Sequence, residues 1–163
     1  MRNFLIKIIY LIELYFVIVA MFSCSMETYS VKKTYADNQI MSYVSENHYN
    51  VSADSLGLVY IPITEGNGHY PHHGDIVAFH YIGYFLNGEK FDSSYDRSYP
   101  LVVELGKDNI IKGLEYTIMK MDKGAKSKVI IPFYMAYDDM ENAPVPPFSN
   151  LVFELELLDI DKK

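Results

Sequence analysis

Five stretches of this chain read as β-strands, and only one stretch within that series carries a helical stripe. Val77, Phe79 and Tyr81 alternate with Ala78 and His80. Leu101, Val103 and Leu105 alternate with Val102 and Glu104, and Val129 and Ile131 with Lys128 and Ile130. Leu151, Phe153, Leu155 and Leu157 alternate with Val152, Glu154 and Glu156. A period of two places one apolar face on each strand. Leu58 to Thr64 adds a strand that Pro62 confines to a sheet edge. Against these, Ile111, Leu114, Ile118 and Met121 recur at spacings of three, four and three, bracketed by Gly106 and Gly124. One helix cannot cover both faces of a sheet. The pattern predicts class α+β, with an antiparallel, twisted half-barrel wrapped around one short helix.

The connection after the first long strand is the densest in signals. Asn87-Gly88 predicts a tight hairpin with positive φ at both central residues. Phe91 and Asp92 follow it, with Arg97 five positions beyond the acid. A carboxylate beside a large ring needs a partner, and Arg97 is the candidate. An exposed hairpin with a solvated ion pair fits the same residues.

The N-terminus reads differently. Arg2 and Lys7 precede an apolar run from Leu14 to Phe22, which ends at Ser23 and Cys24, the only cysteine. This predicts a lipoprotein-type signal peptide over residues 1–23, with Cys24 acylated after cleavage. An uncleaved membrane anchor is the rival reading, although Lys7 and Glu13 interrupt the run. Residues 24–57 then form a lipid-anchored tether with a short helix from Asp37 to His48, and residues 58–163 form the folded domain. The formal net charge of −7 argues against nucleic acid as the partner. It also disfavours lying flat on an anionic membrane.

His69, His72 and His73 with Asp75 invite a metal, but they sit in a Gly/Pro-rich loop without a second cluster, and a solvated loop is the default. Asp138 to Asn150 is long, irregular and holds Pro144, Pro146 and Pro147. A loop anchored at both ends beside core strands can overhang a pocket.

Taken in order, several short motifs carry a resemblance. They are His80-Tyr81-Ile82-Gly83, Lys90-Phe91-Asp92-Ser93-Ser94 with Arg97, Leu105-Gly106-Lys107 and Ile110-Ile111-Lys112-Gly113-Leu114-Glu115. Ala136-Tyr137, Pro146-Pro147 and the run from Leu151 to Leu158 follow. At these spacings the chain resembles the FKBP-type peptidyl-prolyl cis-trans isomerases, specifically a bacterial lipoprotein member. The resemblance spans about Asp75 to Ile160. It implies five or six antiparallel strands around one helix, with a pocket between helix and sheet. Its walls would be Tyr81, Phe91, Asp92, Leu101, Ile110, Ile111, Tyr137, Val145 and Phe153, with Leu114 at the floor. The best-known members carry tryptophan at that floor, and glycine where this chain has Asp138.

The implied activity is rotation of X-Pro bonds in exported or envelope proteins. The barrier is roughly 18–20 kcal/mol because amide resonance must be lost. An apolar, water-poor pocket favours the twisted amide without nucleophile, metal or cofactor. Phe91, Ile111, Leu114 and Phe153 would grip the prolyl ring. The Tyr137 hydroxyl and the Ile111 N–H would bind substrate carbonyls. Tyr81 and Arg97 would hold Asp92. The implied partners are proline-containing polypeptides, with macrolide inhibitors as further candidates and the membrane reached through the lipid anchor. The implied place is the bacterial envelope, with the domain facing the periplasm. A binding module or chaperone of an envelope assembly, on the same fold with weak or no catalysis, is the alternative that Leu114 keeps open.

Overall fold

The computed structural model describes Ile12, Tyr15 and residues 28–162. Two compact units are defined, Met1–Tyr35 and Ala36–Lys163. Apart from Ile12 and Tyr15, the signal segment expected over residues 1–23 lies outside the described residues, as does Cys24. No helix among the described residues is long and apolar enough to cross a membrane. In the first unit residues 28–35 are helical, and Thr34 Oγ1 donates to the Ser30 carbonyl at 3.0 Å.

The second unit opens with helix α1, residues 36–46. Six strands follow: β1 Val59–Thr64, β2 Ile76–Phe85, β3 Lys90–Ser93, β4 Leu101–Glu104, β5 Lys126–Ile131 and β6 Leu151–Asp161. Helix α2, Lys112–Ile118, lies between β4 and β5 in sequence. Short 3-10 turns occupy Tyr95–Arg97 and Phe133–Met135. The strands run β1-β5-β6-β2-β3, with β4 also pairing to β2, and every pairing is antiparallel. β1 is an edge strand, as Pro62 requires, and its register slips between Pro62 and Thr64.

The inner face carries the main core. Val77, Phe79 and Tyr81 from β2 meet Val129 and Ile131 from β5 and Phe153, Leu155 and Leu157 from β6. Leu114 and Ile118 press α2 onto them. Gly113 makes that approach possible, because a Cβ there would lie 2.3 Å from Ile131 Cγ2. This is the expected arrangement of α+β class, a curved antiparallel sheet around a short helix.

The outer face holds a second, smaller core. Ile40 and Val44 of α1 are buried against Val59, Ile130 and Val152. Burying such side chains is worth about 1.5–3 kcal/mol each relative to exposure. The helix expected inside a tether is therefore a packed part of this unit, and the boundary expected at residues 57/58 passes through this second core. The strands accordingly carry apolar residues on both faces at this corner, in place of the one apolar face expected.

The hairpin also departs from expectation. Gly88 has φ +86°, but Asn87 is not in the left-handed region. The Gly88 N–H donates to the Phe85 carbonyl at 2.9 Å, and the Phe85 N–H donates to Glu89 at 2.9 Å. The loop is thus three residues long, Leu86 to Gly88, a turn closed by a bulging glycine.

Candidate active site

A cavity of about 470 Å³ lies between α2 and the inner face of the sheet. That is within the range of roughly 300–1,000 Å³ usual for small-ligand pockets. Tyr81 from β2, Phe91 and Asp92 from β3, and Phe153 from β6 form one side. Leu101, Ile110, Ile111 and Leu114 form another, and Tyr137 completes the ring from the turn after β5. Val145 is not among these residues. It is buried in the main core. Arg97 sits outside the lining and reaches it through hydrogen bonds.

The aromatic wall is fixed by shape. Phe91 meets Phe153 edge-on, with ring centres 5.7 Å apart and planes at 88°. Tyr81 lies 6.1 Å from Phe153, and Phe85 backs Phe91 at 5.2 Å. Gly83 leaves the room, since a Cβ there would come within 2.6 Å of the Phe91 ring. The glycine of the His-Tyr-Ile-Gly motif is thus explained by the rings above it.

Asp92 is held from three directions. It accepts from the Tyr81 hydroxyl at 2.5 Å, from Arg97 Nη1 at 2.7 Å and from the Ser93 N–H at 2.8 Å. Arg97 Nη2 closes the ring by donating to the Tyr81 oxygen at 2.5 Å. Partial burial works against the charge on Asp92, but the hydrogen bonds from Tyr81 and Arg97 outweigh it and hold its carboxyl below the usual range. Burial and the bond to Asp92 push the Tyr81 hydroxyl up to about 12. Asp92 is therefore an anion at neutral pH with its lone pairs engaged, unsuited to proton transfer.

Two of the donors at the cavity matter for a peptide ligand and are uncommitted among the described residues. The Tyr137 hydroxyl has no hydrogen-bond partner among the described residues, and burial, then the nearby charge of Asp92, raises its pKa. It stays a proton donor. Ile111 caps α2 with extended backbone (φ −62°, ψ 140°), and its N–H has no acceptor among the described residues. An apolar basin with two donors on its rim can hold the carbonyls of an extended peptide and strip water from the bond between them.

The lining also holds Asn109, Lys112, Tyr134, Ala136, Asp138 and Met140, none of which is among the expected walls. Met140 is 56% exposed, an apolar side chain at the mouth of a pocket. Its position in an irregular loop gave no periodic signal. Asp138 replaces the family's glycine at φ +52°. Glycine takes that conformation freely, and aspartate is among the few other residues that tolerate it.

The family described as FKBP-type peptidyl-prolyl cis-trans isomerase matches residues 68–158. FkpA of Escherichia coli (strain K12), itself named an FKBP-type peptidyl-prolyl cis-trans isomerase, is 39% identical over 110 residues. That alignment covers 68% of this chain but 40% of FkpA, so the chain spans about two fifths of the length of that relative. The FK506-binding protein of Neisseria meningitidis serogroup B is 39% identical over 105 residues, covering 64% of this chain and 96% of that protein. Among solved structures, FkpA from Escherichia coli superposes with a TM-score of 0.66 at 32% identity, over 81% of this chain and 63% of that one. A peptidyl-prolyl cis-trans isomerase from Pseudomonas syringae pv. tomato reaches 0.68 at 25% identity, over 82% and 96%. With the family matched over more than half its length, and the Neisseria relative covered almost end to end, this chain belongs to the FKBP-type peptidyl-prolyl cis-trans isomerase family.

Proposed function

We propose that the protein is a peptidyl-prolyl cis-trans isomerase acting on exported or envelope polypeptides. The observation that carries the reading is the aromatic cavity with two uncommitted donors at its edge. The prolyl ring sits among Phe91, Ile111, Leu114 and Phe153. Substrate carbonyls accept from the Tyr137 hydroxyl and the Ile111 N–H. As the C–N bond twists, its conjugation and dipole fall, and the apolar wall suits that state better than water does. Tyr81 and Arg97 keep Asp92 in place, where its charge shapes the field around the rotating carbonyl. No bond is made or broken, so no metal or cofactor enters.

The experiment is isomerisation of a short X-Pro peptide without a coupling protease. Tyr137→Phe should reduce kcat/KM by roughly two- to tenfold, the net worth of one hydrogen bond. Phe91→Ala should raise KM and lower kcat. Leu114→Trp restores the family's usual floor and should raise turnover or tighten macrolide binding. If the wild-type protein is inactive while folded, the reading gives way to a binding module or chaperone, which the smaller floor at Leu114 favours.

The lipid anchor belongs to the same reading. Residues 1–23 act as the signal, Cys24 is acylated, the residues from there to 35 form the anchored approach, and the unit that opens with α1 is the isomerase domain in the bacterial envelope. Cys24→Ala should release the protein from the membrane fraction. Full retention of that variant would instead favour an uncleaved anchor.

A further inference from the structure

Tyr134 has its ring and its hydroxyl in two different places. The residue lines the cavity. Its hydroxyl donates to Asp37 Oδ1 on α1 at 2.6 Å, across 97 positions of sequence. Gly57, in the turn before β1, leaves space for that reach. A Cβ at Gly57 would lie 2.0 Å from the Tyr134 oxygen and 3.3 Å from Asp37 Oδ1. Three separate segments therefore meet at one phenol oxygen.

A second clip runs beside the first. Asn150 is buried, and its Oδ1 accepts from the Phe133 N–H at 3.0 Å. Its Nδ2 donates to the Ala36 carbonyl and to Gln39 Oε1, each at 3.2 Å. Phe133 begins the 3-10 turn Phe133–Met135, and that turn leads directly into Ala136 and Tyr137, which line the cavity. The wall segment is thus fastened to α1 by a backbone clip at its start and a side-chain clip one residue later.

We propose that Asp37 is a positioning residue for the cavity: through the Tyr134 hydroxyl, α1 sets the place of the wall that carries Tyr137. This rests on the isomerase reading for its kinetic consequence but not for its structural one. A wall segment that keeps only one of its two clips would sample more orientations, and substrate would bear the cost of selecting one. The effect falls on binding, since neither Asp37 nor the Tyr134 hydroxyl meets the rotating bond. KM should rise while kcat holds.

The test uses the full chain, with an X-Pro tetrapeptide bearing an aliphatic residue before proline. Asp37→Ala and Tyr134→Phe should each raise KM roughly two- to tenfold, as the loss of one hydrogen bond implies. The double variant should do no more than either single, because both remove one contact. Asp37→Asn keeps an oxygen acceptor and should restore wild-type KM. Methyl NMR of the methionines gives a readout independent of turnover. The Met140 and Met135 signals should shift in Asp37→Ala and stay in place in Asp37→Asn. An inactive wild type would end the isomerase reading and leave the NMR arm to decide the positioning claim. Additive KM effects, unmoved methionine signals in Asp37→Ala, or Asp37→Asn as damaging as Asp37→Ala would each overturn it.

Discussion

Two tyrosine–carboxylate–cation clusters of the sheet, one at the cavity and one on the outer face, bear comparison. At the cavity, Tyr81, Asp92 and Arg97 form a closed ring of hydrogen bonds. On the outer face, the Tyr95 hydroxyl donates to Glu156 at 2.9 Å and Lys126 reaches the same carboxylate at 3.1 Å. Both carboxylates are held below their usual range by a tyrosine and a cation, against the opposing effect of burial. Both tyrosines are pushed up to about 12, by burial and then by the bond to the acid. The acids are about equally exposed, with side chains at 36% for Asp92 and 29% for Glu156. Perturbed titration therefore does not separate the cluster at the cavity from the one on the outer face. What separates them is company. Tyr81 and Asp92 border an aromatic basin with uncommitted donors, while Tyr95 stacks on His80 at 4.2 Å and faces outward.

The strongest way to break the comparison is to remove what only the inner cluster has. Phe153 is buried and packs on both Tyr81 and Phe91. Phe153→Ala should cost about 3–5 kcal/mol in a denaturant melt, the usual range for a buried phenylalanine. A loss below about 1 kcal/mol would mean the basin collapses freely and is not a built wall.

Next in size is Asp92→Val. It leaves Arg97 and the Tyr81 hydroxyl without their acceptor, a defect of about 1–3 kcal/mol where groups are partly buried. Activity on an X-Pro peptide should fall more than the melting temperature alone accounts for. Glu156→Gln, on the outer face, should cost about 1 kcal/mol or less and leave kcat/KM within twofold. Equal losses of activity in the two variants would show that the clusters do the same job.

The inner face was legible in the sequence because one rule governs it. Val77, Phe79 and Tyr81 alternate without exception, and the stripe of Ile111, Leu114 and Ile118 has one possible partner. Family motifs then named most of the basin. The outer corner follows a different rule, one that alternation does not express. Val129-Ile130-Ile131 and Leu151-Val152-Phe153 are continuous apolar runs, the mark of strands covered on both faces. Ile40 and Val44 are the matching half, a helical pair whose spacing alone does not name the surface it meets. Tyr134 and Asn150 were silent for a stronger reason. Their partners lie 97 and 111–114 positions away, on a helix whose docking had first to be known. Val145 was carried over from the family across a loop without periodicity, where a shift of register moves a side chain from rim to core.

A change of protonation alone is the mildest perturbation, and it sharpens the comparison without a substitution in the basin. Tyrosines whose pKa is raised on folding contribute stability that is complete below the unfolded value, about 10. That contribution is lost as pH rises from there through the folded value of about 12. The carboxylates work in the opposite direction. Their contribution is present above the unfolded values of about 3.9 and 4.3 and is lost as pH falls through the lowered folded ones. Melting temperature should therefore fall at both ends. Tyr95→Phe should flatten the alkaline limb and leave activity near neutral pH unchanged. Tyr81→Phe should flatten the same limb and also lower kcat/KM, because it frees one side of Asp92 at the cavity. An alkaline limb identical to wild type in both variants would mean that neither tyrosine holds its proton through the contacts described. A Tyr81→Phe protein with full activity would reduce the inner cluster to the same structural role as the outer one.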